Sequence, residues 1–302
     1  MTRFLRCIFP LLLLPILLFA GGAGPAPERY AEYVEINAIS HRGFCSVAPE
    51  NTLSAFRLSE KMGFETVECD VSFTSDGQAV LLHDATVDRT SNGTGEISKM
   101  TLEEVRALDF GSWKSIQYAG EKIPTFEEFL ALCRELELHA YVELKSGNQA
   151  QVLSLLPLVE KYGMNDRVTW ISMENQKLSW IVEDAPRARC GRVVGKVNPH
   201  VIENIKKLRT GQNEVFVNGD GLALTKECIE LCKNHAVPLE VWALNTHHQV
   251  AALDSYVSGV TSDNIHGEAL MDAYNRRIRK SIERPESYDL DEVLEEIEKE
   301  EP

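Results

Sequence analysis

The 302-residue chain has no apolar run long enough to cross a bilayer; its longest, residues 8–19, is about a dozen residues against the ~20 that a spanning helix needs. Positive charge is also scarce. Lysine and arginine number 31 against 46 aspartates and glutamates, a formal net charge of −15. So acidic a chain lacks the basic stripes that follow a nucleic-acid backbone, which argues against nucleic acid as a partner. It does not argue against a small anionic substrate, because a bound divalent cation reverses the local sign. Seven cysteines are present, but none forms a C-x₂-C zinc pair, and a chain of this size needs no disulfide framework. Cys228 and Cys232 lie one helical turn apart, the spacing of a buried apolar stripe. No internal repeat is visible.

What is present at the N-terminus reads as a targeting segment. Arg3 and Arg6 precede the apolar run, which is broken only by Pro10 and Pro15. Ala20, Gly21, Gly22, Ala23 and Gly24 then supply the small residues that a signal peptidase accepts. Residues 1–24 are expected to be a signal peptide, removed on export to a periplasm or the exterior, with an uncleaved anchor as the alternative. No cysteine stands among the small residues, so a lipoprotein is not expected, nor is a stable membrane span after signal removal. Negative charge gathers at the other end. Residues 283–302 hold ten acidic and two basic side chains, a net of −8, which leaves −7 for the other 282. Residues 271–302 are expected to form a charged C-terminal helix or tail.

Between these ends, short apolar runs alternate with stretches of helical period. Strands are predicted at 36–40, 66–73, 79–82, 140–144, 168–172, 191–195, 215–218, 239–244 and 259–262. Asn51-Thr52 and Thr125 are placed to cap the helices that follow the first and third of them. This alternation implies α/β architecture with a parallel sheet and right-handed crossovers. The expected fold is a (β/α)₈ TIM barrel over residues 36–270, a single domain with a small inserted cap at 84–123 after the third strand. Nine candidate strands for eight staves is one too many. The turn Thr74-Ser75-Asp76-Gly77 is too short for a crossover helix, so either 66–73 and 79–82 form a local hairpin or a late strand is not a stave.

Polar residues gather at the C-terminal ends of these strands, where barrel active sites are built. His41-Arg42 follows the first, Glu68-Cys69-Asp70 lies in the second, His83-Asp84 follows the third and Glu143-Leu144-Lys145 ends the fourth. Residues i and i+2 of a strand share a face, so Glu68 and Asp70 point together, as do Glu143 and Lys145. Three carboxylates converging inside a barrel repel one another unless a cation binds them, and an all-oxygen set suits calcium or magnesium. Two imidazoles offer a base and an acid, while Arg42 and Lys145 offer positive charge to phosphoryl oxygens. The combination describes phosphodiester cleavage better than carboxyl-ester or glycoside chemistry.

His41-Arg42-Gly43, Ala48-Pro49-Glu50-Asn51-Thr52, Glu68-Cys69-Asp70, Thr74-Ser75-Asp76-Gly77, His83-Asp84, Asp88-Arg89-Thr90 and Glu143-Leu144-Lys145 together resemble the ordered signature of glycerophosphodiester phosphodiesterases. Ile123-Pro124-Thr125-Phe126-Glu127-Glu128 and Val241-Trp242-Ala243-Leu244-Asn245 extend the resemblance. It implies one divalent cation, calcium or magnesium, on Glu68, Asp70 and Glu143, with His41 and His83 as the acid–base pair. Arg42 and Lys145 would contact phosphate, and Trp242 would wall the glycerol moiety. Glu50 would orient Arg42 or a metal ligand from behind, or serve only as a charge at a helix N-terminus. His41 is favoured as base and His83 as acid, with the substrate's own hydroxyl attacking first and water opening the cyclic phosphate. The family's last strand carries a Gly-Ile-x-Thr-Asp pattern where this chain has Gly259-Val260-Thr261-Ser262-Asp263, a departure read as leaving the core chemistry untouched.

The implied reaction is hydrolysis of a small-molecule glycerophosphodiester to glycerol 3-phosphate and an alcohol. A lipid or lysolipid phosphodiesterase is one alternative; Phe44 and Trp113 are isolated hints of the apolar lip it would need. The other is a non-catalytic binding barrel, which a missing histidine or carboxylate would signal; none is missing. Cys45 reads as a lip residue, and His247, His248 and His266 as surface residues.

Overall fold

Turn residues and alternating apolar positions divide the chain into nine strands: β1 (Asn37–Ser40), β2 (Thr66–Phe73), β3 (Ala79–Leu81), β4 (His139–Leu144), β5 (Val168–Ser172), β6 (Arg189–Val194), β7 (Val215–Asp220), β8 (Leu239–Trp242) and β9 (Val257–Ser262). They belong to a computed structural model that describes residues 36–267 and 269–270. The expected signal segment at 1–24 and the acidic tail at 271–302 lie outside the described residues.

Eight strands pair in parallel in the order β1-β9-β8-β7-β6-β5-β4-β2, and β1 also pairs with β2, which closes the barrel. The surplus strand is β3. It lies antiparallel on β2, with Val71 opposite Leu81 and Phe73 opposite Ala79. Gly77 closes the turn between them at φ +79°, where a side chain is disfavoured. The hairpin reading therefore holds, and β9 is a full stave despite its altered pattern.

Helices cross between staves on the outside, and side-chain caps start most of them. Thr52 accepts from Ala55 N ahead of Leu53–Lys61, and Thr125 with Glu128 forms a capping box ahead of Phe126–Glu135. Outward-facing Val67, Cys69 and Val71 of β2 join Phe56, Phe126 and Phe129 in the layer between helices and barrel. The Phe56 and Phe129 rings lie 4.7 Å apart. Phe44 is also buried here, 6.2 Å from Phe64, and so is not part of a lip. Cys228 and Cys232 are buried free thiols of the expected apolar stripe.

The period of two along each strand sorts the barrel interior into layers. Ile39, Tyr141, Ile171, Val193 and Phe216 fill its middle. Gly191 lets them close up, since a Cβ there would lie 2.3 Å from the Phe216 ring. One step toward the strand N-termini is a polar floor of Asn37, Thr66, Arg189 and Glu240; one step the other way lie His41, Glu143 and Trp242.

Residues 84–123 leave the barrel and build a satellite core of Val87, Ile97, Val105, Phe110 and Ile123 on Val80 and Leu82 of the hairpin. Polar ties bring this insert to the β1 end: Ser54 Oγ donates to Glu121 at 2.9 Å, and Lys114 Nζ donates to the Cys45 carbonyl at 2.6 Å. Among the described residues no helix is long and apolar enough to cross a membrane.

Candidate active site

The strand ends deliver the polar residues to one cleft at the C-terminal mouth of the barrel. His41, Arg42, Glu68, His83, Glu143, Lys145 and Trp242 line it, with Asp70 and Glu50 directly behind. All nine residues singled out in the sequence thus come together.

The link after β1 is bent to do this. Arg42 adopts φ +53° and Asn51 φ +57°, left-handed conformations that are uncommon away from glycine. The bend aims the Arg42 backbone N–H at Glu68 Oε2, 3.0 Å away. It also sends the guanidinium between Glu50, at 2.9 Å, and Asp70, at 3.3 Å. Gly43 follows at φ +77°, packed so closely on Ala55 that a Cβ would lie 2.6 Å from its neighbour. Asn51 does not cap the helix, a task left to Thr52. Its side chain instead donates to Asp70 Oδ2 at 2.8 Å and accepts from the Asp70 backbone N–H at 3.1 Å.

Glu68, Asp70 and Glu143 bring one oxygen each to within 4.8 Å of the others. Burial, and then the Asp70 charge, push Glu68 up to about 8 and raise Glu143 above the ordinary carboxylate range. Asp70 Oδ1 is buried without a hydrogen-bond partner, and the Lys145 ammonium is 4.0 Å from it. A buried acceptor left open among three hard oxygens fits a divalent cation such as calcium or magnesium.

Each histidine is keyed by a carboxylate on Nδ1. His83 meets Asp84 Oδ1 at 2.7 Å, and His41 meets Asp263 Oδ1 at 2.6 Å. Burial alone would lower the His41 pKa, but the Asp263 hydrogen bond and the Glu68 charge outweigh it and raise it. Asp263, which directly follows β9 and to which the sequence pattern alone attaches no role, therefore touches an imidazole of the cleft. Asn245 braces that carboxylate, donating to Oδ2 at 2.6 Å and accepting from the Asp263 backbone N–H at 2.9 Å.

Arg89 of the insert is the other residue that strand-end reasoning missed. It donates to Asp84 at 2.7 Å and to both oxygens of Glu50, at 2.6 and 2.9 Å. Asp84 is thereby pulled down to about 2, first by Arg89 and then by His83. Glu50 lies below its ordinary value because Arg89 and Arg42 outweigh its burial. An ion-pair chain thus runs from His83 through Asp84, Arg89 and Glu50 to Arg42, so Glu50 is more than a helix-end charge. The sequence signal of Arg89 is the Asp88-Arg89-Thr90 motif, which by itself names no partner for it.

Trp242 donates from Nε1 to the Asn218 carbonyl at 3.2 Å, which fixes its ring as one wall beside Ile171 and Met173. His266 is exposed, as expected, while His247 and His248 are half-buried.

Comparison with known proteins agrees with this geometry. The sequence profile of the glycerophosphoryl diester phosphodiesterase family matches residues 41–266. The glycerophosphodiester phosphodiesterase of Caldanaerobacter subterraneus subsp. tengcongensis is 30% identical over 233 residues, covering 75% of this chain and 93% of that protein. A glycerophosphodiester phosphodiesterase of Bacillus subtilis is 27% identical over 270 residues, covering 82% and 87%. Among solved structures, an Oleispira antarctica phosphodiesterase in complex with the product sn-glycerol-3-phosphate matches with a TM-score of 0.72 at 24% identity, over 78% of this chain and 96% of that one. With the profile spanning most of the barrel and a relative matched over nearly its whole length, this chain belongs to the glycerophosphoryl diester phosphodiesterase family.

Proposed function

We propose that the chain hydrolyses glycerophosphodiesters to glycerol 3-phosphate and an alcohol, with His41 and His83 as the acid–base pair. The observation that carries this reading is the pairing of each imidazole with a carboxylate through Nδ1, beside the three carboxylates of the cleft. With Nδ1 engaged, each ring keeps Nε2 for the substrate.

His41 Nε2 takes the proton of the attacking hydroxyl, and His83 gives a proton to the departing alkoxide. The substrate's neighbouring hydroxyl attacks first, and water then opens the cyclic phosphate with the two histidines exchanging roles. Asp263 holds the imidazolium that forms on His41, and Asp84 holds the one from which His83 donates. Arg42 and Lys145 face the phosphate oxygens, and Trp242 gives the glycerol carbons an apolar wall. A calcium or magnesium ion on Glu68, Asp70 and Glu143 would polarise the phosphoryl group and offset its charge.

The test is glycerol 3-phosphate release from glycerophosphocholine with calcium or magnesium, with EDTA, and in His41→Ala and Glu68→Ala variants. Cation-dependent release lost in both variants is expected. No release from any headgroup ester by the folded, cation-loaded protein would overturn the reading. Residues 1–24 support export within the same proposal, and N-terminal sequencing of the mature protein checks it.

A second reading, a phosphodiester carrying one acyl chain, is favoured by where the apolar exposure falls. The exposed large apolar side chains among the described residues are Val47, Trp113, Ile116, Met173 and Leu222. All sit on the insert or on links that follow β1, β5 and β7, at the mouth and not on the outer helices. Turnover of lysophosphatidylcholine at a higher kcat/KM than glycerophosphocholine would select this reading.

A further inference from the structure

Behind His41, on the side away from the three carboxylates, lies a second convergence of ligand atoms. One ring nitrogen of His41, Cys45 Sγ and an Asp263 carboxylate oxygen all fall within 4.8 Å of one another. Sγ lies 3.3 Å from Asp263 Oδ1, and Nδ1 lies 2.6 Å from the same oxygen. We propose that His41, Cys45 and Asp263 form an inhibitory zinc site, separate from the all-oxygen site and selective for a softer ion.

Three features carry this. The first is the donor set: imidazole, thiolate and one carboxylate match zinc with a position left open, whereas Glu68, Asp70 and Glu143 match calcium or magnesium. The second is spacing. Tetrahedral zinc with these donors places ligand atoms about 3.4–3.6 Å apart. The Sγ–Oδ1 distance is already close to that, and the Nδ1–Oδ1 contact must open by only about 0.8 Å. The third is support. Asn245 holds the far oxygen and the backbone N–H of Asp263, so the carboxylate is oriented before an ion arrives. Cys45 is also, among the described residues, the cysteine that is not buried.

Binding there has a defined chemical result. Burial and the Asp263 charge keep the Cys45 thiol protonated in the ion-free site, and the ion displaces that proton to solvent. Coordination through Nδ1 moves the ring proton of neutral His41 to Nε2, so one proton is released per ion. The nitrogen that faces the substrate is then occupied by a proton, and His41 no longer accepts one from the attacking hydroxyl. Zinc would thus switch off turnover without displacing the cation of the acidic site. The inhibition, though not the site itself, rests on the assignment of His41 as base.

The test uses the full chain and Cys45→Ser, which retains a donor to Asp263 but lacks the soft ligand; Cys45→Ala serves if the serine variant misfolds. Zinc is titrated into glycerophosphocholine turnover at saturating magnesium, and cobalt is titrated separately while thiolate-to-cobalt absorption is followed in the near ultraviolet. The expected result is equal turnover without zinc, inhibition of the unaltered protein at no more than a tenth of the zinc concentration the variant requires, and a thiolate–cobalt band in the unaltered protein alone. Equal zinc sensitivity, or no such band, overturns the proposal. If neither protein turns over the substrate, the cobalt band alone decides the site, and the failure falls on the proposed reaction.

Discussion

His41 and Asp263, 222 positions apart in sequence, meet at 2.6 Å because β9 pairs in register with β1, Ser262 opposite Ser40. The next residue of each strand steps off the barrel at the same height, and the hydrogen bond joins the two.

Asp263→Asn should lower kcat by roughly 10²-fold with little change in KM, since the carboxylate orients a group and does not touch the substrate. The pH profile separates this from a merely structural defect. Asp263 raises the His41 pKa, so its removal lowers that pKa, and the acid limb of kcat/KM moves to lower pH. A profile that falls uniformly without shifting would rule the role out.

Arg89→Ala should lower turnover roughly tenfold while costing about 1 kcal/mol or less of stability. The side chain is partly exposed, so its ion pairs add little to folding, but it sets Asp84 against His83 and Glu50 against Arg42. Kinetics and urea unfolding of the same preparation check the two halves; a large stability loss with unchanged kcat would contradict the assignment.

Ion-free protein should lose stability as pH rises from about 5 to about 8. Glu68 is pushed up to about 8 from an ordinary 4.5, so across that window the folded state holds a proton that the unfolded chain has released. Raising the pH then favours the unfolded chain. A divalent cation bound there would stabilise the ionised carboxylates, so the effect of added calcium or magnesium on Tm should be larger at the upper end of the window. Calorimetry with EDTA and with added cation tests this, and a flat apo Tm would contradict it.

At the barrel floor, Arg189 donates to Glu240 at 2.7 Å, and Tyr141 donates to the same oxygen at 3.1 Å. Glu240 is 1% exposed, so Arg189→Ala leaves a buried carboxylate without its cation. The expected loss is about 3–5 kcal/mol in urea unfolding, with KM unchanged because the floor is at the far end from the cleft. Near-native stability would show that water reaches Glu240.

Much of the barrel was legible because its determinants are local. Apolar alternation, caps such as Thr125 with Glu128, and the short turn after Phe73 depend on neighbours a few residues away. Glu68 with Asp70 and Glu143 with Lys145 were legible for the same reason, since two positions along a strand share a face. Asn51 was misread because the same residue serves as a helix cap or as a clamp on Asp70, and only the left-handed backbone at that position selects the second. Phe44 looked like a lip residue until the bend after β1 turned it into the core.

By itself the sequence determined the order of strands and helices, the inward faces of the staves and the chemical types available at their ends, because short-range sterics and periodicity set all of these. Tertiary structure alone decided the partners: Asp263 for His41, Arg89 for Glu50 and Asp84, Glu240 for Arg189. Those pairs rest on closure of β9 onto β1 and on how the insert folds back, arrangements set by long-range packing that no local pattern encodes.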